Sequence, residues 1–287
     1  MIPAFVNPEA GSAQQAVRYL MLDSRFTIEQ LPAPKMGAAV RQAVRDKTPR
    51  VLVCGGDGTV ALVAQQIAGT NTELAVFPGG TLNHFADKIG LSADPEQILD
   101  TAVNGVPSMV DVGYVNDRIF LNTSSVGAYV HFVRTRNYLE KRMSYTFASM
   151  LAGARRLIRM RSAHIKLDRQ VIKTPLVFVG VGEKELSIPF LGKDKAGGQR
   201  GLHLIAVLNT KPLATLGLAF NAMLRGIDPL SKAREVEDRV VTSLELNYAK
   251  RKRKRIEVAL DGEICLLRAP ICYEYRAAAF KVAFPSK

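Results

Sequence analysis

The chain contains no tryptophan, only three cysteines in 287 residues, and no apolar run long enough to span a membrane. Each shortage removes a class of protein. Cys54, Cys265 and Cys272 form an odd set with no Cys/His spacing suited to a metal, which argues against a disulfide scaffold and for a reducing compartment. Cys54 lies inside an apolar run and reads as a core thiol. The longest mostly apolar segment, Pro212–Leu224, falls short of the roughly 20 residues that a spanning helix needs. Met1–Gly11 lacks the basic and apolar stretches of a signal peptide. These features predict a cytoplasmic protein, soluble but able to visit a membrane surface. An apolar share of 47% and a charged share of 23% are those of a globular chain, not a disordered or collagenous one.

Acidic residues are scarce in one part only. Residues 1–110 carry 8 basic and 10 acidic side chains, whereas residues 111–287 carry 31 and 16, so the net charge of +13 arises entirely in the second part. Such a split points to a polyanionic surface, nucleic acid or anionic lipid, as the partner of that part.

The two parts also differ in pattern. The first alternates strands with helices of 10–12 residues: Ile2–Val6, a helix over Ser12–Leu22, Phe26–Leu31, a helix over Gly37–Lys47, the continuous apolar strand Arg50–Cys54, a helix over Thr59–Ala68, Glu73–Phe77 and a helix over Pro95–Val103. Alternation of this kind predicts βαβ units and a parallel sheet. After Pro107 the apolar runs become short and lie at hairpin spacing, among them Val110–Val115, Leu176–Val181, Val240–Leu246, Arg255–Leu260, Glu263–Leu267 and Ala279–Phe284. One helical block, Tyr138–Met160, interrupts them. The expected architecture is an α/β domain with a parallel sheet, then a mostly antiparallel β-sandwich, with the boundary near residues 105–112.

Three loops in the first part are built to receive phosphate. Gly55-Gly56-Asp57-Gly58-Thr59 follows one buried strand and opens a helix. Pro78-Gly79-Gly80-Thr81-Leu82-Asn83 does the same after the next strand, and Asn7-Pro8-Glu9-Ala10-Gly11 follows the first. In an open α/β sheet, ligands bind at the carboxyl ends of the strands, where glycines let backbone N–H groups approach a phosphate chain and helix N-termini add positive partial charge. Asp57 suits a metal ion, a ribose hydroxyl or a helix cap. In the second part, Asp261-Gly262-Glu263 lies between two strand-like runs and reads as a hairpin turn carrying two carboxylates, either of which can accept a proton from an attacking hydroxyl.

Taken together, NPEAG, GGDGTV, PGGTLNHFA, the strand Val110-Asp111-Val112-Gly113 and the late LDGE resemble the diacylglycerol kinase catalytic family, which includes bacterial diacylglycerol kinases and the sphingosine and ceramide kinases. The resemblance runs from Asn7 to about Phe284. It implies an ATP-binding α/β domain over residues 1–108, to which residues 276–287 return, and a β-sandwich lipid-substrate domain over residues 109–275, with ATP held between the two. Asn7, Pro8 and Gly11, then Gly55, Gly56, Asp57, Gly58 and Thr59, then Gly80, Thr81 and Asn83 are the residues it assigns to the nucleotide. Asp57 and Asp111 would serve the Mg²⁺, and Asp261 and Glu263 are the pair from which the catalytic base is drawn. The implied activity is transfer of the ATP γ-phosphate to a lipid hydroxyl, with diacylglycerol the leading acceptor.

Three departures from the family pattern stand out. His84 occupies a position where the family commonly has Asp, which removes one carboxylate from the implied metal network. A threonine often found after the second strand is replaced by the stretch Leu31-Pro32-Ala33-Pro34-Lys35. Gln199-Arg200-Gly201 replaces an acidic pattern that supports a structural metal in bacterial members, so no such metal is expected.

Lys250–Arg255 is six consecutive basic residues, and Arg155, Arg156, Arg159 and Arg161 form a second cluster. With few aromatics around them and no nucleic-acid motif, an anionic membrane is the expected partner rather than nucleic acid. Leu186, Ile188, Phe190 and Leu191 form an apolar loop suited either to acyl chains or to a core edge. Two alternative readings stand beside the lipid kinase. One is a kinase of a soluble acceptor, such as an NAD kinase, which shares GGDGT; the other is a non-catalytic lipid-binding module on the same fold.

Overall fold

The computed structural model describes residues 1–81, 83–127, 163–167, 170–185, 193–208, 236–247 and 255–286. They fall into two compact units, Met1–Val112 with Arg276–Lys287, and Gly113–Tyr275.

The first unit opens with β1 (Ile2–Val6), α1 (Ala13–Met21), β2 (Phe26–Gln30), α2 (Ala33–Arg45), β3 (Arg50–Gly55), α3 (Asp57–Ile67) and β4 (Glu73–Pro78). The strands are parallel in the order β2-β1-β3-β4, as the alternating pattern requires. α4 (His84–Lys88), α5 (Pro95–Asn104) and β5 (Val106–Val115) follow. Ala13, Ala16 and Leu20, spaced three and four apart, give α1 its buried face. That face joins Ala4, Val6, Leu52, Cys54, Ala75, Phe77, Ile98 and Leu99 in one core. α2 begins four residues before the Gly37 expected from apolar spacing. Pro34 sits in its first turn, where a missing N–H breaks no helix bond.

α5 shows how both ends of a helix are fixed. Asp94 accepts the Glu96 N–H at 3.0 Å, and Pro95 occupies the first turn. At the other end the Arg50 guanidinium binds the carbonyls of Ala102, Val103 and Gly105 at 2.9–3.0 Å while pairing with Glu73 at 2.6 Å. A half-buried cation there satisfies orphan carbonyls and opposes the negative end of the helix.

The second unit contains β6 (Arg118–Phe120), β7 (Thr123–Gly127), β8 (Ala163–Leu167), β9 (Gln170–Thr174), β10 (Leu176–Val181), β11 (Leu202–Val207), β12 (Val236–Val241), β13 (Ser243–Asn247), β14 (Arg255–Leu260) and β15 (Glu263–Arg268). β12-β11-β10-β7-β14-β15 form an antiparallel sheet with β15 at its edge. β16 (Ile271–Phe284) contributes to both units. Leu244 and Leu246 of β13 pair with Tyr273 and Ile271, and further along the strand Lys281 and Val282 run parallel to β4. Val126, Val177, Val179, Leu204 and Val258 pack with Ile165, Leu246, Ile271 and Tyr273 into the core of the second unit. Tyr273 meets Phe120 edge-on at 6.0 Å, and its hydroxyl lies 2.8 Å from Ser124 Oγ.

Two strands differ from the expected ones. Val240–Leu246 is not one strand, because the chain breaks at Thr242. β12 then pairs with β11, and β13 pairs with β16 and β8 in the other sheet. β16 begins at Ile271, well before the expected Ala279. Its first half alternates buried Ile271 and Tyr273 with exposed Cys272 and Glu274, a pattern its charged residues conceal.

Candidate functional site

The three phosphate-type loops meet at the carboxyl ends of β1, β3 and β4 and are joined backbone to backbone. Gly11 N–H donates to Gly79 O at 2.9 Å, and Gly79 N–H donates to Gly55 O at 2.9 Å. Ser12 Oγ, a loop serine unmarked by any motif, adds a bond to Pro78 O at 2.7 Å. Glycine is obligatory where the loops touch. A Cβ on Gly80 would lie 2.7 Å from Gly56 Cα, and one on Gly79 would lie 3.0 Å from Gly55 Cα. Gly11 is less confined, since its Cβ would meet only Gly79 O at 3.6 Å.

The side chains of these loops bind each other. Asn7 is buried and donates to Thr59 Oγ1 at 3.4 Å, while its Oδ1 accepts the Glu9 N–H. Asn83 has a left-handed backbone, φ 50°, and closes the third loop by accepting the Gly80 N–H at 2.7 Å and donating to Gly80 O at 2.9 Å. Asp57 reaches out of α3 to the start of α4. Its Oδ2 accepts the His84 N–H at 3.1 Å, and its Oδ1 accepts the Phe85 N–H at 3.0 Å. Pro8, Gly11, Gly80 and Thr81 are exposed, Gly56, Asp57, Gly58 and Asn83 half-buried, and Gly55 and Thr59 buried. The surface they make is small-residued and open to an anion.

Cys54, directly below, is not part of that chemistry. Burial pushes its thiol up to about 11, against the Ser12 contact at 3.9 Å, so it stays protonated at neutral pH.

Asp111 lies on β5, and its Oδ1 accepts the N–H of Ala278 at 2.9 Å, where β16 passes through a left-handed residue of φ 51°. Among the described residues no three His, Cys, Asp or Glu side chains cluster to hold a metal ion. Asp57 and Asp111 still suit Mg²⁺ as donors, since this hard cation is commonly held by one or two carboxylates and the substrate's own phosphates.

The second carboxylate pair lies in the second unit, on the turn between β14 and β15. Asp261 (φ 45°) and Gly262 (φ 88°) are its two central residues, both left-handed as a tight hairpin requires. The two carboxylates do different work. Asp261 Oδ1 accepts the N–H groups of Asn122 and Thr123 at 2.8 and 2.9 Å, and Oδ2 accepts that of Leu121 at 2.7 Å. Its own N–H donates to Thr123 O at 2.8 Å. Glu263 is exposed. Beside this clasp, Asn122 Nδ2 and Ser125 Oγ are buried and have no hydrogen-bond partner among the described residues.

Further along, Glu183, Lys184, Asp194, Lys195 and Gln199 bracket the stretch before β11. Lys184, which is buried, pairs with Asp194, and Lys195 pairs with Glu183 at 2.6 Å. Gln199 N–H and the Lys195 side chain both bind Glu183, lowering its carboxyl from the ordinary value. Arg200 reaches Tyr275 Oη at 3.3 Å. Of the basic run only Arg255 lies within the described residues. Lys250–Lys254, Arg155–Arg161 and the loop Leu186–Leu191 lie outside them.

Three comparisons with known proteins bear on the fold and the family. Residues 2–115 match the family model of the diacylglycerol kinase catalytic domain. A protein of Pseudomonas putida strain KT2440 named "Probable lipid kinase YegS-like" is 26% identical over 274 residues, which span 93% of this chain and 86% of that one. The diacylglycerol kinase of Bacillus subtilis strain 168 is 29% identical over 133 residues, 45% of this chain and 44% of its own length. A crystal structure of a diacylglycerol kinase from Bacillus anthracis str. Sterne superposes with a TM-score of 0.64 at 19% identity, covering 99% of this chain and 96% of the other, which shows the shared fold. Residues 2–115 are therefore similar to the diacylglycerol kinase catalytic domain, and along most of its length the chain resembles a probable lipid kinase.

Proposed function

We propose that this protein transfers the γ-phosphate of ATP to a hydroxyl of a membrane lipid, with diacylglycerol or a close relative as acceptor. The observation that carries the reading is the set of three glycine loops, hydrogen-bonded to one another at the ends of three parallel strands. Asn7, Pro8, Gly11, Gly55 to Thr59, Gly80, Thr81 and Asn83 hold the nucleotide. Asp57 and Asp111 would hold Mg²⁺, which when bound neutralises charge on the phosphates. The acceptor hydroxyl oxygen forms the new bond to the γ-phosphorus, the bond from that phosphorus to the β–γ bridging oxygen breaks, and ADP leaves.

The hydroxyl proton goes to Glu263. Three N–H donors commit the lone pairs of Asp261 to the turn, so it is the positioning residue of the pair. Asn122 and Ser125, orphaned beside the same turn, are the polar contacts offered to the acceptor. Among the described residues no helix is long and apolar enough to cross a membrane. The enzyme reaches its lipid peripherally, the basic run Lys250–Arg255 supplying attraction to anionic headgroups of about 1 kcal/mol per residue near the surface.

The test is transfer of labelled phosphate from ATP to a panel of lipids in anionic vesicles. Labelled phospholipid that depends on the lipid added supports the proposal. Transfer only to soluble acceptors overturns it.

A further inference from the structure

We propose that one face of the β14–β15 hairpin is the surface that docks on an anionic bilayer. This rests on the reading of the acceptor as a membrane lipid. The ladder places Arg255 opposite Arg268, Glu257 opposite Leu266 and Ala259 opposite Ile264. With a period of two these six lie on one side, with Ala259 buried and Ile264 half-buried so that Arg255, Arg268 and Leu266 form its open end, while Ile256, Val258, Cys265 and Leu267 turn to the core.

Two features of that face are costly in water. Arg255 and Arg268 are like charges directly opposite each other, a destabilising arrangement unless anions lie nearby. Both are exposed, and among the described residues neither guanidinium has an ion pair or hydrogen bond. Beside them Leu266 is 58% exposed, one of few large apolar side chains so open among the described residues. An edge strand carrying Ile264, Cys265, Leu266 and Leu267 also lacks the lysine or proline that commonly protects such an edge.

A bilayer interface answers all of this at once. Phosphate headgroups take the two guanidiniums, and a leucine beside them enters the apolar boundary. The charge complementarity extends along the chain, because Arg255 ends the run of six basic residues. A nucleic acid would leave Leu266 in water. The same strand begins at Glu263, about 10 Å along it from Leu266 at the usual rise per residue, so docking of this hairpin keeps the DGE turn near the bilayer.

The experiment is vesicle sedimentation without ATP, comparing phosphatidylglycerol-containing with pure phosphatidylcholine vesicles. Wild type should sediment with the anionic vesicles only. Arg255→Glu/Arg268→Glu should weaken that binding about tenfold or more, and Leu266→Ser should weaken it less. A charge-matched control, Arg18→Glu/Arg45→Glu on exposed positions of the first unit, should bind as wild type. All variants should melt like wild type and keep their turnover on detergent-dispersed lipid. Unchanged binding by the double variant, or equal loss in the control, overturns the proposal. So does sedimentation velocity showing that Leu266→Ser dissociates a dimer while vesicle binding persists, since the edge would then join two copies of the chain. Binding is read without turnover, so failure of lipid phosphorylation leaves this result standing. Lipid phosphorylation with unchanged binding sinks the docking face alone.

Discussion

Asp57 and His84 are tied side chain to main chain, the carboxylate of the second glycine loop accepting the first N–H of the helix that follows the third. Its other oxygen takes the next N–H, from Phe85. One residue thus fixes the spacing of the two loops proposed to hold one phosphate chain. Asp57→Ala should abolish phosphate transfer and also lower stability by about 1–2 kcal/mol, the usual cost of a lost cap. Asp57→Asn keeps one acceptor and should melt closer to wild type while remaining inactive. Turnover near wild type in either folded variant contradicts the assignment.

His84 is exposed and contributes only its backbone to that clasp. Restoring the carboxylate common in the family, His84→Asp, should leave the clasp intact and lower the Mg²⁺ concentration needed for half-maximal turnover. A titration of activity against Mg²⁺ reads this directly. An unchanged midpoint would place the side chain outside the metal network.

The glycines divide by what surrounds them. Gly80→Ala forces a Cβ against Gly56 Cα at 2.7 Å, backbone against backbone, so the loops must part and ATP affinity should fall at least tenfold. Gly11→Ala meets only Gly79 O at 3.6 Å and should fold with wild-type stability. Any loss of ATP affinity in Gly11→Ala then reports on the nucleotide rather than on loop packing. Equilibrium binding of ATP together with a thermal melt separates the two effects.

Cys54 gives a prediction in pH. Its thiol is pushed up to about 11 from 9.0, chiefly by burial, so the folded chain holds this proton more tightly than the unfolded one. The resulting stability is complete below about pH 9 and is lost as pH rises through about 11, with an upper size of roughly 2–3 kcal/mol. Cys54→Ala should remove that part of the slope between pH 9 and 11. Parallel slopes in denaturant titrations of the two proteins would refute it.

Much of this was legible in the residues. Apolar strands ending in glycine predict where the loops lie, because a parallel sheet covered on both faces leaves little ambiguity in β1, β3 and β4. That Asp57 caps the helix of the next loop, and that Asp261 clasps three distant N–H groups, was not legible. Each binds backbone N–H groups far away in sequence, up to 140 residues in the bond to Leu121, and a backbone donor leaves no mark on residue type. The split at Thr242 was hidden for a related reason. Two strands of different sheets, one residue apart, read as a single apolar alternation until their partners are known. Ser12 and Ser125 lay unmarked because a single serine in a loop or strand has many innocent explanations.

The DGE turn carries the last prediction, because its two carboxylates are set apart by their partners. Asp261 is held by three backbone N–H groups of Leu121, Asn122 and Thr123, and those bonds fix the turn that presents Glu263. Asp261→Ala leaves three donors without an acceptor and should destabilise the second unit by about 2–4 kcal/mol, with activity lost alongside the fold. Asp261→Asn should fall between, since its amide nitrogen cannot accept. Glu263 is exposed. Glu263→Gln should therefore melt like wild type, bind ATP like wild type and lose about two to four orders of magnitude in kcat, the range general-base catalysis supplies. Glu263→Asp, which keeps the carboxylate but shortens its reach, should recover part of the rate. The deciding measurement is kcat and melting temperature for all four variants. If Glu263→Gln turns over at the wild-type rate while a folded Asp261→Asn does not, the proton goes to Asp261 and the division of labour drawn from their hydrogen bonds is wrong.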